Sequence, residues 1–345
     1  MVRIGVIGYG YWGPNLVRNF YETPGTQVAC VSDLRPERLK LLQSRYPTIR
    51  VTADHRALLE DPGVDAVAIA TPVSTHFDLA MKALGAGKHV FVEKPLASTA
   101  EQVHRLMEAA DKANRLLMVD HTFVYTGAVR KIRQLVDDGS LGDIYYYDST
   151  RVNLGLFQHD VDVLWDLAVH DLSIMDYVLP AKPLAVSATG LSHVQGGKEN
   201  IAFLTLFFGG PQIAHIHVNW LAPVKVRRTL IGASKKMIVY DDLEQSEKIK
   251  VYDKGITLDR KQDPERIYQV LVGYRTGDML APNLDMKEAL AVEAAHFVKC
   301  IEQQERPTTD GAAGLRVVEI LEAASQSMRS RGHPVELPSA TATRR

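Results

Sequence analysis

The sequence predicts an α/β protein. An N-terminal doubly wound parallel sheet comes first, and a second α/β domain follows, built on a large, open, mostly antiparallel sheet. Three observations lead there. Over the first 120 residues short apolar runs alternate with amphipathic helical stretches, the signature of parallel strands covered on both faces. A glycine-rich turn joins the first run to the first helix. After residue 121 strand-like segments follow one another with turn residues between them, as hairpins do.

The elements can be justified in order. Val2 to Ile7 is an apolar strand, and Leu16, Val17 and Phe20 mark one face of the helix after the glycines. Gln27 to Ser32 is the second strand, ending at Asp33 before a charged helix that begins near Pro36. Val64 to Ala70 ends at Thr71-Pro72, and Ala80, Ala83 and Leu84 mark the next helix. His89 to Val92 ends at Glu93-Lys94-Pro95. Val103, Leu106, Met107 and Ala110 form an i, i+3, i+4, i+7 stripe, and Arg115 to Val119 closes the parallel half. The strands of the second half are Ile144 to Asn153, Leu184 to Thr189, Ile201 to Phe208, Gln212 to Trp220, Arg227 to Ile231 and Met237 to Tyr240. The fourth of these alternates, with Ala214, Ile216, Val218 and Trp220 on one face and His215, His217 and Asn219 on the other. Two helices end the pattern, striped by Leu290, Ala294, Phe297 and Ile301, then by Val317, Leu321, Ala324 and Met328. The expected domains are 1–120 and 121–337, with a frayed tail over 338–345.

Composition narrows the function. The 345 residues include 46% hydrophobic and 23% charged side chains, and a formal net charge of −1, so neither nucleic acid nor a membrane is an expected partner. Two cysteines, Cys30 and Cys300, make no disulfide framework and suit a reducing compartment. The start carries no secretory signal, and no stretch reaches the ~20 apolar residues of a membrane span. The expected location is the cytoplasm.

Gly8-Tyr9-Gly10-Tyr11-Trp12-Gly13 lies between a strand and a helix, and Asp33 stands twenty residues after Gly13 at the end of the next strand. This is the context of a Rossmann dinucleotide site. Gly8 permits the tight turn, Gly10 the approach of a pyrophosphate, and Gly13 the close packing of helix on strand. The helix N-terminus offers N–H groups to phosphate. Asp33 would accept from the adenosine ribose, so NAD is expected over NADP, with Arg35 near enough to soften that preference. The alternative is that the glycines only shape a turn and Asp33 caps a helix. Thr71, Pro72, His76, Glu93 and Lys94, at or just after other strand ends, complete the expected cofactor edge.

Lys94 before a proline is held extended, and an ammonium there can stabilise a developing alkoxide; read alone, it is a solvated loop lysine. Asp166 and His170 share a helical face. The pair is a candidate carboxylate–imidazole couple for taking a hydroxyl proton. It can equally be an N-cap and a packed histidine, and no third residue suggests a metal.

Together the GYGYWG motif, Glu93-Lys94-Pro95 and Asp166-x-x-x-His170 resemble the glucose–fructose oxidoreductase, inositol dehydrogenase and rhizopine catabolism (Gfo/Idh/MocA) family over nearly the whole chain. The resemblance implies a Rossmann domain, a C-terminal sheet that supports substrate binding and assembly into a homodimer or homotetramer, and hydride transfer at a sugar or cyclitol carbinol. It implies Lys94 as catalytic lysine, His170 as acid/base and Asp166 as its partner. Ala168 stands where glycine is common. Residues 121–131, 149–160 and 220–232 resemble the branch that includes UDP-N-acetylglucosamine 3-dehydrogenases, which make a 3-keto nucleotide sugar for an aminotransferase. Tyr125 replaces a common arginine. Tyr125, Arg151, Asn153, Lys225 and Arg227 are the candidate substrate residues, the basic ones suiting a pyrophosphate or being merely exposed strand residues. Other readings are an inositol or free-sugar dehydrogenase and a non-catalytic NAD-binding regulator.

Overall fold

A computed structural model describes residues 1–155, 161–194, 197–258 and 272–338. Most of the tail expected to fray lies outside the described residues, as does the end of the 149–160 motif. The chain divides into two units, Met1–Thr126 with Met286–Glu322, and Gly127–Asp285 with Ala323–Arg345.

The first unit runs β1 (Val2–Ile7), α1 (Gly13–Glu22), β2 (Thr26–Ser32), α2 (Pro36–Arg45), β3 (Arg50–Thr52), α3 (His55–Leu59), β4 (Ala66–Ile69), α4 (His76–Gly85), β5 (His89–Glu93), α5 (Ala100–Ala113) and β6 (Leu117–Asp120). Its sheet has the order β3-β2-β1-β4-β5-β6 with every pairing parallel. The order reverses between β1 and β4, and ligands bind at such a crevice beyond the carboxyl ends of the strands. The side chains of β4 are wholly buried, which explains the absence of alternation in its sequence.

The second unit carries α6 (Gly127–Asp137), β7 (Ile144–Leu154), a π-helical turn (Leu164–Ala168) and α7 (Val169–Val178), then β8 (Ala185–Leu191), β9 (Ile201–Phe207), β10 (Ile213–Asn219), β11 (Leu221–Ala233), β12 (Met237–Asp241) and β13 (Ile249–Tyr252). Shorter strands follow as β14 (Gly255–Leu258), β15 (Val272–Arg275) and β16 (Met279–Leu280), with α8 (Ala289–Gln303), α9 (Gly311–Arg329) and β17 (Val335–Glu336) ending the chain. Among the described residues the large sheet has nine strands, β16-β13-β12-β11-β7-β10-β9-β8-β17. Its pairs are antiparallel except β10 with β7. Ala214, Ile216 and Val218 of β10 are fully buried, as the alternation predicts.

The expected domains divide the chain once, whereas a late segment, Met286–Glu322, joins the first unit. Although α8 follows the second sheet in sequence, it packs in the first unit. Phe297 of α8 meets Phe20 of α1 at 6.2 Å and Phe91 of β5 at 5.5 Å between ring centres. Arg18 of α1 donates to Glu288, just before α8, at 3.0 Å. Helical periodicity says that a face must be buried, but not which sheet buries it.

Candidate active site

The glycine loop is built as a cradle. Gly8 has φ +97°, and a Cβ there would lie 2.4 Å from the Ala70 carbonyl oxygen; at Gly13 it would lie 2.2 Å from that of Gly8. Only glycine fits either place. At Gly10 the nearest atom to such a Cβ is Arg35 Nη2, 3.5 Å away, so the loop is open there. The N-terminus of α1 has no side-chain cap and no acidic residue in its first turn; Pro14 has no N–H, and Asn15 N and Leu16 N donate to the Trp12 carbonyl oxygen, so it is the Gly13 amide that can meet an anion there. These features fit a dinucleotide pyrophosphate.

Asp33 lies at the end of β2 with its side chain only 5% exposed. Its carboxylate accepts from Tyr9 N (2.7 Å), Arg35 N (2.9 Å), Arg35 Nε (3.0 Å) and Arg35 Nη2 (3.1 Å). Burial pushes the Asp33 pKa up, but the Arg35 guanidinium and amide and the Tyr9 amide outweigh it and hold the pKa below the usual value. A carboxylate has about four lone-pair positions, so Arg35 occupies acceptor capacity that ribose hydroxyls would use.

The other predicted edge residues divide in two. Thr71 and Pro72 follow β4, Glu93 ends β5, and Lys94 follows it with a cis peptide to Pro95. Gly8, Asp33, Thr71 and Lys94 therefore follow the carboxyl ends of four adjacent strands, β1, β2, β4 and β5. His76 is corrected from cofactor ligand to brace. It is fully buried, with Nδ1 2.9 Å from the Pro95 carbonyl oxygen and Nε2 2.8 Å from that of Thr71. The imidazole thus sits between the end of β4 and the turn that carries Lys94, and in its neutral form donates to one of the two carbonyls. Within the loop, Tyr11 is 91% exposed, whereas the Trp12 indole donates to Asp120 at 2.7 Å.

In the second unit Asp166 lies in the π-helical turn and His170 in the first turn of α7. Such turns are frequent at functional sites. The capping role belongs to Asp162, which accepts from Leu164 N at 2.9 Å and Trp165 N at 3.1 Å. Asp166 instead accepts from the Trp220 indole at 3.1 Å. Next to His170, Asp171 is buried and takes Arg151 Nε and Ser149 Oγ, each at 2.6 Å.

Two expected substrate residues are buried and already have partners. Arg151 is 3% exposed and neutralised by Asp171, so its guanidinium anchors α7 and offers no surface to a pyrophosphate. Tyr125 is 5% exposed in the first unit, with its hydroxyl 3.1 Å from Thr309 Oγ1. Asn153 on β7 is half-buried and Lys225 on β11 is exposed. Arg227 pairs with Asp242 at 3.1 Å.

Sequence reasoning missed Asp120 and Glu293, two buried carboxyls in the first unit. A signal existed for Glu293. With Leu290, Ala294 and Phe297 it completes an i, i+3, i+4, i+7 stripe, so a charged residue stands inside an apolar face.

Comparison with known proteins agrees with this architecture. Residues 2–121 match the model of an oxidoreductase family with an NAD-binding Rossmann fold, and residues 129–239 match the GFO/IDH/MocA C-terminal domain. The UDP-N-acetylglucosamine 3-dehydrogenase of Acidithiobacillus ferrooxidans is 28% identical over 92% of this chain and 94% of its own. A solved structure of that protein superposes with a TM-score of 0.79, covering 95% of this chain and 96% of the other at 28% identity. The scyllo-inositol 2-dehydrogenase (NAD(+)) of Bacillus subtilis is 26% identical over 97% of this chain and 96% of its own. An oxidoreductase from Agrobacterium radiobacter shares the fold at a TM-score of 0.83 and 19% identity, covering 98% of this chain and 99% of its own. With both halves matched, and a glycine cradle shaped for a dinucleotide, the chain belongs to the GFO/IDH/MocA family of oxidoreductases and is a dehydrogenase with an NAD-binding Rossmann domain.

Proposed function

We propose that the enzyme oxidises a secondary hydroxyl of a sugar, with C3 of a UDP-N-acetylhexosamine as the leading substrate. The observation that carries the dehydrogenase chemistry is the gathering of Gly8, Asp33, Thr71 and Lys94 on the carboxyl edge of one parallel sheet. A protein using this fold only as a scaffold has no need of that arrangement. The nucleotide-sugar substrate is supported by similarity along nearly the full length to a UDP-N-acetylglucosamine 3-dehydrogenase.

Gly8, Gly10, Gly13, the start of α1 and Asp33 would hold NAD, which when bound supplies the hydride acceptor. The Lys94 ammonium donates to the reacting oxygen and stabilises the alkoxide that develops as its carbon is oxidised. His170 accepts the hydroxyl proton, and Asp166, held by the Trp220 indole, sets the orientation of the imidazole. The brace through His76 fixes the turn from which Lys94 projects.

The test follows NADH formation across UDP-sugars, free hexoses and cyclitols. Activity on UDP-N-acetylhexosamines supports the proposal. Activity on free myo-inositol but not on UDP-sugars would decide for the inositol reading, which the Bacillus subtilis relative favours. Lys94→Ala is expected to lower kcat at least ~10²-fold while NAD still binds by calorimetry. Near-normal turnover would remove Lys94 from the chemistry.

A further inference from the structure

The dinucleotide loop is tied to a buried carboxyl pair. Trp12 sits between Gly10 and Gly13 and is the N-cap of α1, and its indole N–H donates to Asp120 Oδ2 at 2.7 Å. The Thr122 hydroxyl donates to the other oxygen of Asp120. Asp120 is 2% exposed at the carboxyl end of β6, and Glu293 of α8 is 0% exposed against it. Neither Glu293 oxygen makes a well-formed hydrogen bond, although the Asp120 carboxyl, the Thr122 hydroxyl and the His121 amide face it. Tyr125 adds a buried phenol, and His296 and Cys300 lie beyond that phenol on the same helix. Among the described residues no lysine or arginine pairs with either carboxyl.

Two carboxylates in contact, buried and without a cation, cannot both stay ionised. Asp120 has the donors that favour a charge, so Glu293 keeps the proton and the couple titrates as a unit. We propose that Asp120 and Glu293 are positioning residues for the cofactor cradle: a carboxyl pair sharing one proton, which fixes the Trp12 indole and through it the glycine loop. This inference rests on the loop being the NAD cradle. Burial, followed by their mutual repulsion, raises the pKa of Glu293 well above the usual carboxyl range, and burial raises that of Asp120. Loss of the shared proton as pH rises would set two facing charges beneath Trp12, and separating them would pull Asp120 from the indole.

The test is NADH affinity by calorimetry from pH 6 to 10, with indole fluorescence recorded on the same samples. Wild type should lose at least ~5-fold in affinity across the alkaline half, and Glu293→Gln should stay within ~2-fold. Trp12→Phe should bind at least ~5-fold more weakly at neutral pH, with no alkaline loss of its own. The wild-type minus Trp12→Phe emission should show one alkaline transition, absent in the Glu293→Gln background. An equal pH slope in wild type and Glu293→Gln, or wild-type affinity in Trp12→Phe, would overturn the proposal. If Glu293→Gln does not fold, Trp12→Phe alone decides. If wild type bound no NADH at any pH, the cradle reading would fail, while the fluorescence transition would still report whether the shared proton exists.

Discussion

Asp33 and Arg35 show how one side chain qualifies another. With three of the four donors on the carboxylate coming from Arg35, ribose hydroxyls must displace the guanidinium. Arg35→Ala is therefore expected to tighten NAD about 3- to 10-fold and to weaken any NADP binding, both measurable by calorimetry. Unchanged affinity for both cofactors would place Arg35 outside the site. The pH consequence has a definite sign. Because the folded Asp33 pKa is depressed, its stabilisation is present above the free-carboxyl value of ~3.9 and is lost as pH falls through the lower folded value. The melting temperature of wild type should exceed that of Asp33→Asn at neutral pH, and the gap should close below about pH 4.

At the scale of elements, the buried Arg151–Asp171 pair ties β7 to α7, the helix that carries His170. Removing one partner leaves an uncompensated buried charge, so Arg151→Met should cost about 3–5 kcal/mol, read from denaturant unfolding. Were Arg151 a substrate ligand instead, stability would hold and only KM would rise. Lys225→Ala, on an exposed part of β11, should leave stability within about 0.5 kcal/mol. The π-helical turn belongs to the same scale. Spacing placed Asp166 and His170 on one helical face, but it did not reveal the widened turn or the Asp162 cap.

Across the whole molecule, the nine-stranded sheet buries one face and leaves much of the other exposed. On β9 and β10 the inward residues Leu204, Leu206, Ile216 and Val218 are fully buried, while Phe203 (40%), Phe207 (38%) and Ile213 (45%) remain exposed. The register sets Ile213 opposite Phe207 and His217 opposite Phe203, whose rings stack at 4.4 Å. Adjacent exposed apolar side chains of this kind would suit an interaction surface. We expect a second copy of the chain to cover it, forming a homodimer or homotetramer. Phe203→Glu with Ile213→Glu should shift the mass measured by light scattering to that of a monomer. A wild-type protein already monomeric at micromolar concentration would defeat this expectation.

The sequence by itself determined the parallel sheet, the glycine cradle with Asp33, the strand end bearing Lys94, and the alternation of β10. All of these follow from local rules: periodicity, the steric freedom of glycine and the spacing of a turn. Tertiary structure decided what depends on the neighbour each face meets. Helix α8 covers the first sheet because Phe297 closes on Phe20 and Phe91. His76 came to lie between two backbone carbonyls and Arg151 against Asp171 because a polar group is costly to bury without a partner. Asp120 and Glu293, 173 positions apart, acquired meaning only when folding set them side by side, since no local pattern carries information about a contact made across such a distance.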